Sequence, residues 1–306
     1  MLFSGIEVAM IVLFLLVLAD AIRQFNNDKK KLLLLGLAFV YALIFENFNM
    51  LLSKGQAASY YYNPTFSLYI WQTPLFIALA WAALIYTAMH ISDMLKLKTI
   101  SKSFMDALLV IMIDLTLDIV AVRQNLWTWV GYSENMAWFG VPADNFIGWL
   151  LVTFMFSFLF RYITRKEDDA INKATRSEFY FLLPAFAYLA MLLLFSLINL
   201  TEAAFKLTRS EELFLFFAMI VLFAAMLRKP EFPSDPLFAS DNYTTFVILL
   251  TRLLFYSFII WSVVLMDLYL ESPFIAIILV NTIIAEILIY MSIWRPKKDR
   301  DELPHY

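Results

Sequence analysis

The sequence predicts an all-α protein, a polytopic bundle of transmembrane helices, and three observations support this class. Hydrophobic residues make up 62% of the 306 residues and charged residues only 16%. The mean hydropathy is +0.74. A soluble domain has about 45–50% apolar and about 25% charged residues, so this chain has too little polar surface to cover a water-soluble fold. The apolar residues also cluster into segments of about 20 residues, the length that crosses a bilayer.

Nine segments satisfy that length. They are residues 5–24, 32–52, 67–90, 103–122, 145–163, 179–200, 211–227, 243–266 and 273–293. The first segment lacks a basic leader and a small-residue cleavage site, so we interpret it as a retained helix. Because no long stretch remains between the spans, we expect residues 1–306 to form a single integral membrane domain.

Positive charges in the short loops predict the orientation of the spans, because cytoplasmic loops carry an excess of Lys and Arg. The loops on one side of the nine spans carry eighteen of these residues and those on the other side carry four, with Arg252 inside a span. The sequence therefore predicts an outer N-terminus and a cytoplasmic C-terminus. We expect the membrane to be a prokaryotic cytoplasmic membrane.

Composition also excludes several function classes. The chain has no Cys, which excludes disulfides, thiolate metal sites and cysteine nucleophiles. Two histidines, His90 and His305, are too few for a histidine-box iron enzyme, and the six Gly form no phosphate-binding loop. A net charge of −3 with short basic patches speaks against nucleic-acid binding. We therefore expect no cofactor, no metal and no nucleic-acid partner.

Three carboxylates lie inside the predicted spans, where charges are costly and mark functional sites by default. Counted from the cytoplasmic ends, Glu46 is about 21 Å deep, and Asp114 and Asp118 are about 16 and 22 Å deep. Asp114 and Asp118 stand at positions i and i+4, so they share one helix face. Two carboxylates this close repel, and at least one is expected to hold a proton near neutrality, as a general acid must. The alternative is that they only hydrogen-bond to neighbouring helices.

Two further sets of polar residues lie within spans. Gln72, Thr73 and Pro74 fall at outer depth in the third span, where a proline kink either borders a cavity or serves packing. Arg252 and Glu286 lie at similar depths in the last two spans. We interpret them as a buried ion pair with a structural role.

The outer segment between the fourth and fifth spans concentrates aromatic residues and glycines. Four of the eight Trp and three of the six Gly fall between residues 127 and 149. Trp at a membrane boundary ordinarily forms an interfacial belt, and Asn145 is placed to cap the fifth helix. The alternative is a re-entrant lid whose aromatic faces line a pocket for an apolar polyene or a carbocation. A second outer loop, residues 60–64, adds aromatics beside Glu46.

Four short strings of residues carry a family resemblance. They are Met105-Asp106-Ala107, Asp114-Leu115-x-Leu117-Asp118-x-Val120-Ala121, Trp127-x-Trp129 and Phe139-Gly140-Val141-Pro142-x-x-Asn145-Phe146-x-Gly148-Trp149. In them the sequence resembles the integral-membrane carotenoid biosynthesis family that includes γ-carotene 1′,2′-hydratase and bisanhydrobacterioruberin hydratase. The resemblance is clear over residues 104–152 and looser over residues 40–90. The chain departs from the pattern at residues 47–49, where a glycine is expected.

The resemblance implies a hydratase of the lyase class that adds water across a terminal 1,2 double bond of an acyclic carotenoid end. Protonation of one alkene carbon gives a tertiary cation, which water captures without an electron carrier. Candidate catalytic residues are Asp114 or Asp118 as the acid and Glu46 to orient water. Candidate substrate-binding residues are Tyr62, Gln72, Trp127, Trp129, Trp138, Asn145 and Trp149. The expected partners are a lipid-soluble polyene, membrane lipids and other enzymes of the carotenoid pathway.

Two other functions remain open from the sequence. The Asp114-x-x-x-Asp118 spacing could hold Mg²⁺ against a pyrophosphate, as in an intramembrane polyprenyltransferase, although only one such motif is found. A transporter or a carotenoid- or lipid-binding scaffold is the non-enzyme alternative. Broken helices and inverted repeats would favour transport, and Pro74 is the one break that we predict inside a span.

Overall fold

The structure, a computed structural model, describes residues 2–25, 28–56, 58–95, 97–133, 136–165, 173–227 and 242–293. Within these ranges the chain is mostly helical, which confirms the all-α class. The helices are α1 (Leu2–Gln24), α2 (Lys29–Ser53), α3 (Leu75–Met94), α4 (Thr99–Arg123), α5 (Ala143–Arg165), α6 (Lys173–Phe205), α7 (Arg209–Ala225), α8 (Asn242–Leu265), α9 (Leu268–Glu271) and α10 (Pro273–Ile293). The strands are β1 (Tyr60–Tyr62), β2 (Tyr69–Ile70), β3 (Thr73–Pro74) and β4 (Trp127–Trp129).

Each predicted span contains a helix, and seven of the described helices are long and apolar enough to cross a membrane. These are α1, α2, α3, α5, α6, α8 and α10. Charged side chains interrupt α4, and α7 has 17 residues. Nine spans and the orientation stay predictions. Some residues that were counted in the sequence-based predictions lie outside the described ranges. They are Lys96, Lys166, Arg228, Lys229, Arg295, Lys297, Lys298 and Arg300, counted for the orientation, and His305, counted among the histidines.

Helix α4 lies at the centre of the bundle. It packs against α3, α5, α7, α8 and α10, and most of its residues between Met105 and Ala121 are buried. Its polar side chains therefore contact protein rather than lipid, which is where charged groups at membrane depth are tolerated. This position brings Asp114 and Asp118 into the interior of the bundle.

The third predicted span begins later than expected. Strands β2 and β3 pair as a hairpin, and Trp71 has a φ of 59° in its turn. Gln72 and Thr73 therefore lie in this hairpin, and α3 starts at Leu75, directly after Pro74. A proline at this position precedes the helix, because inside a helix its ring would clash with the preceding turn. The predicted kink at Pro74 is wrong, whereas Pro184 does lie inside α6.

The predicted ion pair between the last two spans is confirmed. Arg252 Nε lies 2.5 Å from Glu286 Oε1, and Arg252 Nη2 lies 3.0 Å from Glu286 Oε2. Arg252 Nη2 also donates to the carbonyl of Leu109 at 2.6 Å. Both side chains of the pair are buried, so the contacts fasten α8 and α10 to the central helix α4.

Candidate functional site

A cavity of about 420 Å³ lies between α2, α3, α4, α5 and α6, at the ends of these helices that are predicted to face outward. Its volume is within the range of ligand pockets, about 300–1,000 Å³. Seven of the ten candidate residues named from the sequence line it. They are Glu46, Tyr62, Asp118, Trp127, Trp129, Asn145 and Trp149.

Two outer loops that are distant in sequence form one cap over this cavity. Strands β1 and β4 pair antiparallel, with Tyr60 opposite Trp129. Two residues along, Tyr62 lies opposite Trp127. Alternate residues of a strand point to opposite faces, so these four rings line the cavity, whereas Tyr61 between them is exposed. The lid predicted from the aromatic loop is therefore half of a two-stranded cap.

Glu46 is held by three hydrogen-bond donors from two elements. The hydroxyls of Tyr60 and Tyr62 donate to its Oε2 at 2.6 and 2.7 Å, and the indole of Trp81 donates to its Oε1 at 2.7 Å. Burial, together with the adjacent Glu46 carboxyl, raises the pKa values of Tyr60 and Tyr62 well above the ordinary value for tyrosine. Both phenols therefore remain protonated at neutral pH and fix Glu46 as an acceptor.

Asp114, Asp118 and Asn145 form a second polar group. The amide Nδ2 of Asn145 donates to Asp118 Oδ2 and lies 3.4 Å from Asp114 Oδ2. The two carboxyl groups therefore share one donor and lie close together inside the bundle, an arrangement that favours a proton on at least one of them. Asp118 lines the cavity, whereas Asp114 is buried behind it. The side chain of Asn145 thus bridges two acids instead of capping α5.

The charge surroundings of this pair differ from those of the other buried acid on α4. Asp106 forms an ion pair with Arg161 Nη2 at 3.0 Å. Among the described residues, no Lys or Arg forms an ion pair with Asp114 or Asp118, and the nearby charged group acting on both is Glu46. Because unpaired buried charges are costly, the absence of such a cation also favours a proton on this pair of carboxyls. In the same part of the chain, no group of three or more His, Asp or Glu side chains could hold a metal ion.

Aromatic rings form the wall beside the two polar groups. The ring centroids of Trp81 and Trp149 are 4.0 Å apart, and Trp81 meets Phe45 edge-on at 4.8 Å. All three rings line the cavity, and aromatic faces attract cations. Trp81 is not among the site residues predicted from the sequence. The available signal was its place in the middle of an apolar span, away from the interfaces where Trp is usual.

Besides Asp114, two candidate residues lie outside the cavity wall. The indole of Trp138 donates to the carbonyl of Leu115 at 2.9 Å, and its ring packs against Phe146 and Phe217. Gln72 lies in the β2–β3 turn, where its backbone N–H donates to Asn47 Oδ1 at 2.8 Å. Their positions support the loops around the cavity, and neither lines the cavity.

The whole polar site lies within a region that matches a known protein family. Residues 5–210, more than half of the chain, match the family described as carotenoid biosynthesis protein. The chain belongs to the carotenoid biosynthesis protein family. Its long apolar helices and this membership make it a membrane protein with a role in carotenoid biosynthesis. No curated protein and no solved structure matches the chain.

The range that matches the carotenoid biosynthesis protein family contains most of the site, but two helices that contact the site region lie outside it. The matched range includes α1 to α6, the β1–β4 cap, Glu46 and the Asp114–Asp118 pair. Helices α8 and α10 lie beyond it. They contribute Phe255 to the cavity wall and the Arg252–Glu286 ion pair to the packing of α4.

Proposed function

We propose that this carotenoid biosynthesis protein adds water across the terminal 1,2 double bond of an acyclic carotenoid end. The observation that carries the proposal is an aromatic cavity lined by two buried carboxyl groups, Asp118 and Glu46, with Asp114 buried behind Asp118 on the same Asn145 amide. Hydration of an alkene needs a proton donor, an acceptor for the proton of water and an apolar site that tolerates a cation. Each requirement has a matching group in this cavity.

Asp118 is the proposed proton donor, because its side chain lines the cavity. Its proton and the π electrons of the alkene form a C–H bond at C2, which leaves a tertiary cation at C1. Asp114 shares the Asn145 amide with Asp118 and does not line the cavity. We therefore propose Asp114 as a positioning residue that, with Asn145, holds the Asp118 carboxyl in place.

The cation at C1 is proposed to lie against the aromatic wall. The rings of Trp81 and Trp149 are large, closely spaced and part of the lining. An aromatic face stabilises a desolvated cation by about 2 kcal/mol. These rings also keep the bulk of water away from the reactive carbon.

Glu46 is proposed to orient the attacking water. As the oxygen of water forms a C–O bond at C1, one of its protons passes to the Glu46 carboxylate. The proton then returns to the aspartate pair through solvent. The cycle consumes one alkene and one water, forms one tertiary alcohol, and leaves no net change in protons or electrons. The three donors around Glu46 support this role, because they fix the carboxylate before water binds.

The proposed substrate is a lipid-soluble polyene that reaches the cavity from the membrane lipids. We further propose that the protein works in a prokaryotic cytoplasmic membrane beside other enzymes of carotenoid biosynthesis. The apolar lining and the long lipid-facing helices support a substrate of this kind.

A pigment assay tests the proposal. The chain is expressed in cells that accumulate acyclic-ended carotenes, and the extracted pigments are analysed by mass. We expect a product heavier by one water, absent from cells with the empty vector. If well-expressed protein adds no water to several acyclic carotenes but carries bound pigment, the scaffold or transport alternative replaces the hydratase. If a metal-dependent prenylated product forms instead, the polyprenyltransferase alternative does.

A further inference from the structure

A line of polar side chains runs along the cavity side of α2 from its outer end to Glu46. Asn49 and Ser53 follow Glu46 at i+3 and i+7, so the three share one helix face, and Gln56 continues the line in the turn after the helix. All four line the cavity. The neighbouring α2 residue Leu51 is apolar and exposed and does not line the cavity. A polar line on such a helix needs a polar partner, because lipid offers none.

Among the described residues that line the cavity, three have a buried side-chain atom without a hydrogen-bond partner, namely Ser53 Oγ, Trp129 Nε1 and Asp144 Oδ1. Ser53 Oγ is buried without a hydrogen bond, and so is Nε1 of Trp129, a residue that is 8% exposed. Both residues line the same cavity. A buried polar group that faces a cavity and lacks a protein partner is the usual position of an ordered water.

The facing wall on α6 is polar at the same end of the cavity. Ser196 and Asn199 are one helical turn apart, are exposed and line the cavity. Leu193 and Leu197 on the same helix are 63% and 52% exposed and are not part of this lining. Nearer the predicted cytoplasmic end of α6, the hydroxyl of Tyr188 donates to Asn49 Oδ1 at 3.0 Å and joins the two helices. The cavity therefore opens between polar residues of α2 and α6.

We infer that this polar track, formed by Asn49, Ser53, Gln56, Ser196 and Asn199, brings water from the outer surface to Glu46. The inference rests on the proposed hydration and deepens it, because it names the route of the second substrate. Water enters beside Gln56 and Asn199, passes Ser53 and Ser196, and reaches the carboxylate that orients it. The polyene then needs only the apolar part of the cavity.

Thiol labelling tests the track without depending on activity. The chain has no Cys, so single-cysteine variants can be labelled against a clean background. Ser53→Cys and Ser196→Cys change one atom each. Lys54→Cys, in an exposed position, is the water-exposed control, and Leu193→Cys is the lipid-facing control. Open membrane fragments are treated with a charged methanethiosulfonate, which reacts with the thiolate and hence only where water is present.

We expect the Ser53→Cys and Ser196→Cys thiols to react at least about tenfold faster than the Leu193→Cys thiol, with the exposed Ser196→Cys approaching the Lys54→Cys rate and the more buried Ser53→Cys below it. Equal, slow rates for Ser53→Cys, Ser196→Cys and Leu193→Cys would overturn the track. A labelled track in a protein that yields no hydrated product would instead overturn the proposed function and leave the water route standing.

A filling variant tests the use of the track in the reaction. Ser53→Leu replaces the hydroxyl with an apolar side chain, whereas Ser53→Thr keeps it. We expect Ser53→Leu to retain bound polyene and to lose about tenfold or more in hydration rate, with Ser53→Thr close to the parent. Unchanged hydration in Ser53→Leu would contradict the proposed route.

Discussion

Asp114 and Asp118 share one hydrogen-bond donor but have different access to a ligand. Asp118 lines the cavity, and Asp114 is buried behind it. Asn145 contacts both through one amide nitrogen. The two carboxyls should therefore differ in how strongly their replacement affects the reaction, although each replacement changes only one atom.

Replacing the proposed acid should slow the reaction more than replacing its neighbour. Asp118→Asn removes the donated proton, so we expect a rate lower by about 10²–10⁴-fold, the usual contribution of a general acid. Asp114→Asn removes one positioning contact, so we expect a loss of about tenfold, which corresponds to about 1.4 kcal/mol. Initial rates of hydrated product in membranes with equal protein content measure both.

Asp267→Asn provides a matched control for these two variants. Asp267 is exposed, lies outside the cavity and already adopts the left-handed backbone conformation that Asn tolerates. Its replacement should leave the rate within about twofold of the parent. Equal losses in Asp114→Asn and Asp118→Asn would refute the assignment of Asp118 as the donor.

Arg252 gives a residue-level prediction about stability. Arg252→Met leaves the buried Glu286 without its cation, and breaking a buried pair in this way costs about 3–5 kcal/mol. The double variant Arg252→Met, Glu286→Leu removes both charges and should recover most of that loss. Thermal unfolding of the detergent-solubilised protein measures the difference. If the double variant is no more stable than Arg252→Met, the loss of stability does not come from the unpaired charge of Glu286.

At the scale of elements, the β1–β4 cap joins two loops that the sequence separates by more than sixty residues. The ladder places Tyr60, Tyr62, Trp127 and Trp129 over the cavity and holds the two donors to Glu46 Oε2. The cap is therefore a part of the site, and its pairing should be required for activity.

A proline in the middle of β4 tests the cap. Thr128 occupies the central register position, opposite Tyr61, and its side chain does not line the cavity. Thr128→Pro cannot donate to the ladder, so we expect loss of the cap and at least about a tenfold lower hydration rate. Thr128→Val keeps the strand and should retain activity. If the Thr128→Pro variant hydrates its substrate at the parental rate, the pairing of β1 with β4 is not needed to hold the two donors to Glu46.

The positions of the helices were predictable from the sequence. The exact helix ends and the pairing of the short strands were harder to predict. Continuous apolar runs located every long helix, because lipid exposure demands such runs. Residues 67–74 continue the apolar run of the third span, so the hairpin that ends at Pro74 was mistaken for helix. The β1–β4 pairing was missed because strands of three residues carry almost no periodicity and their contact is not local.

At the scale of the whole molecule, the described site draws on six helices, α2 to α6 and α8, and on the cap. Glu46 and Asp118, named as ionisable residues in spans, line the cavity, and so does Asn145 from the outer segment, whereas their roles stay predictions. Trp138 and Gln72 do not line the cavity, because which face an outer-loop side chain presents depends on tertiary packing. The role of Trp81 could not be read from spacing, since it follows from a contact between α3 and α2.

The orientation of the whole protein in the membrane is predicted from the charges in its loops. The excess of Lys and Arg predicts a cytoplasmic C-terminus. A reporter that fluoresces only in the cytoplasm should be active when fused after residue 306, and a phosphatase that requires the outer compartment should be inactive there. The opposite pattern would reverse the membrane face on which the polar track opens.

The most direct test of the account is the origin of the atoms added to the polyene. Isolated membranes that contain the protein are given an acyclic-ended carotene in water labelled with both heavy oxygen and deuterium. Oxygen gas and reductants are left out. The account predicts a tertiary alcohol that carries the heavy oxygen and one carbon-bound deuterium beside it, and neither in membranes with the Asp118→Asn variant. An alcohol whose oxygen does not come from water, or a labelled product that persists in Asp118→Asn, would contradict acid-catalysed hydration at this site.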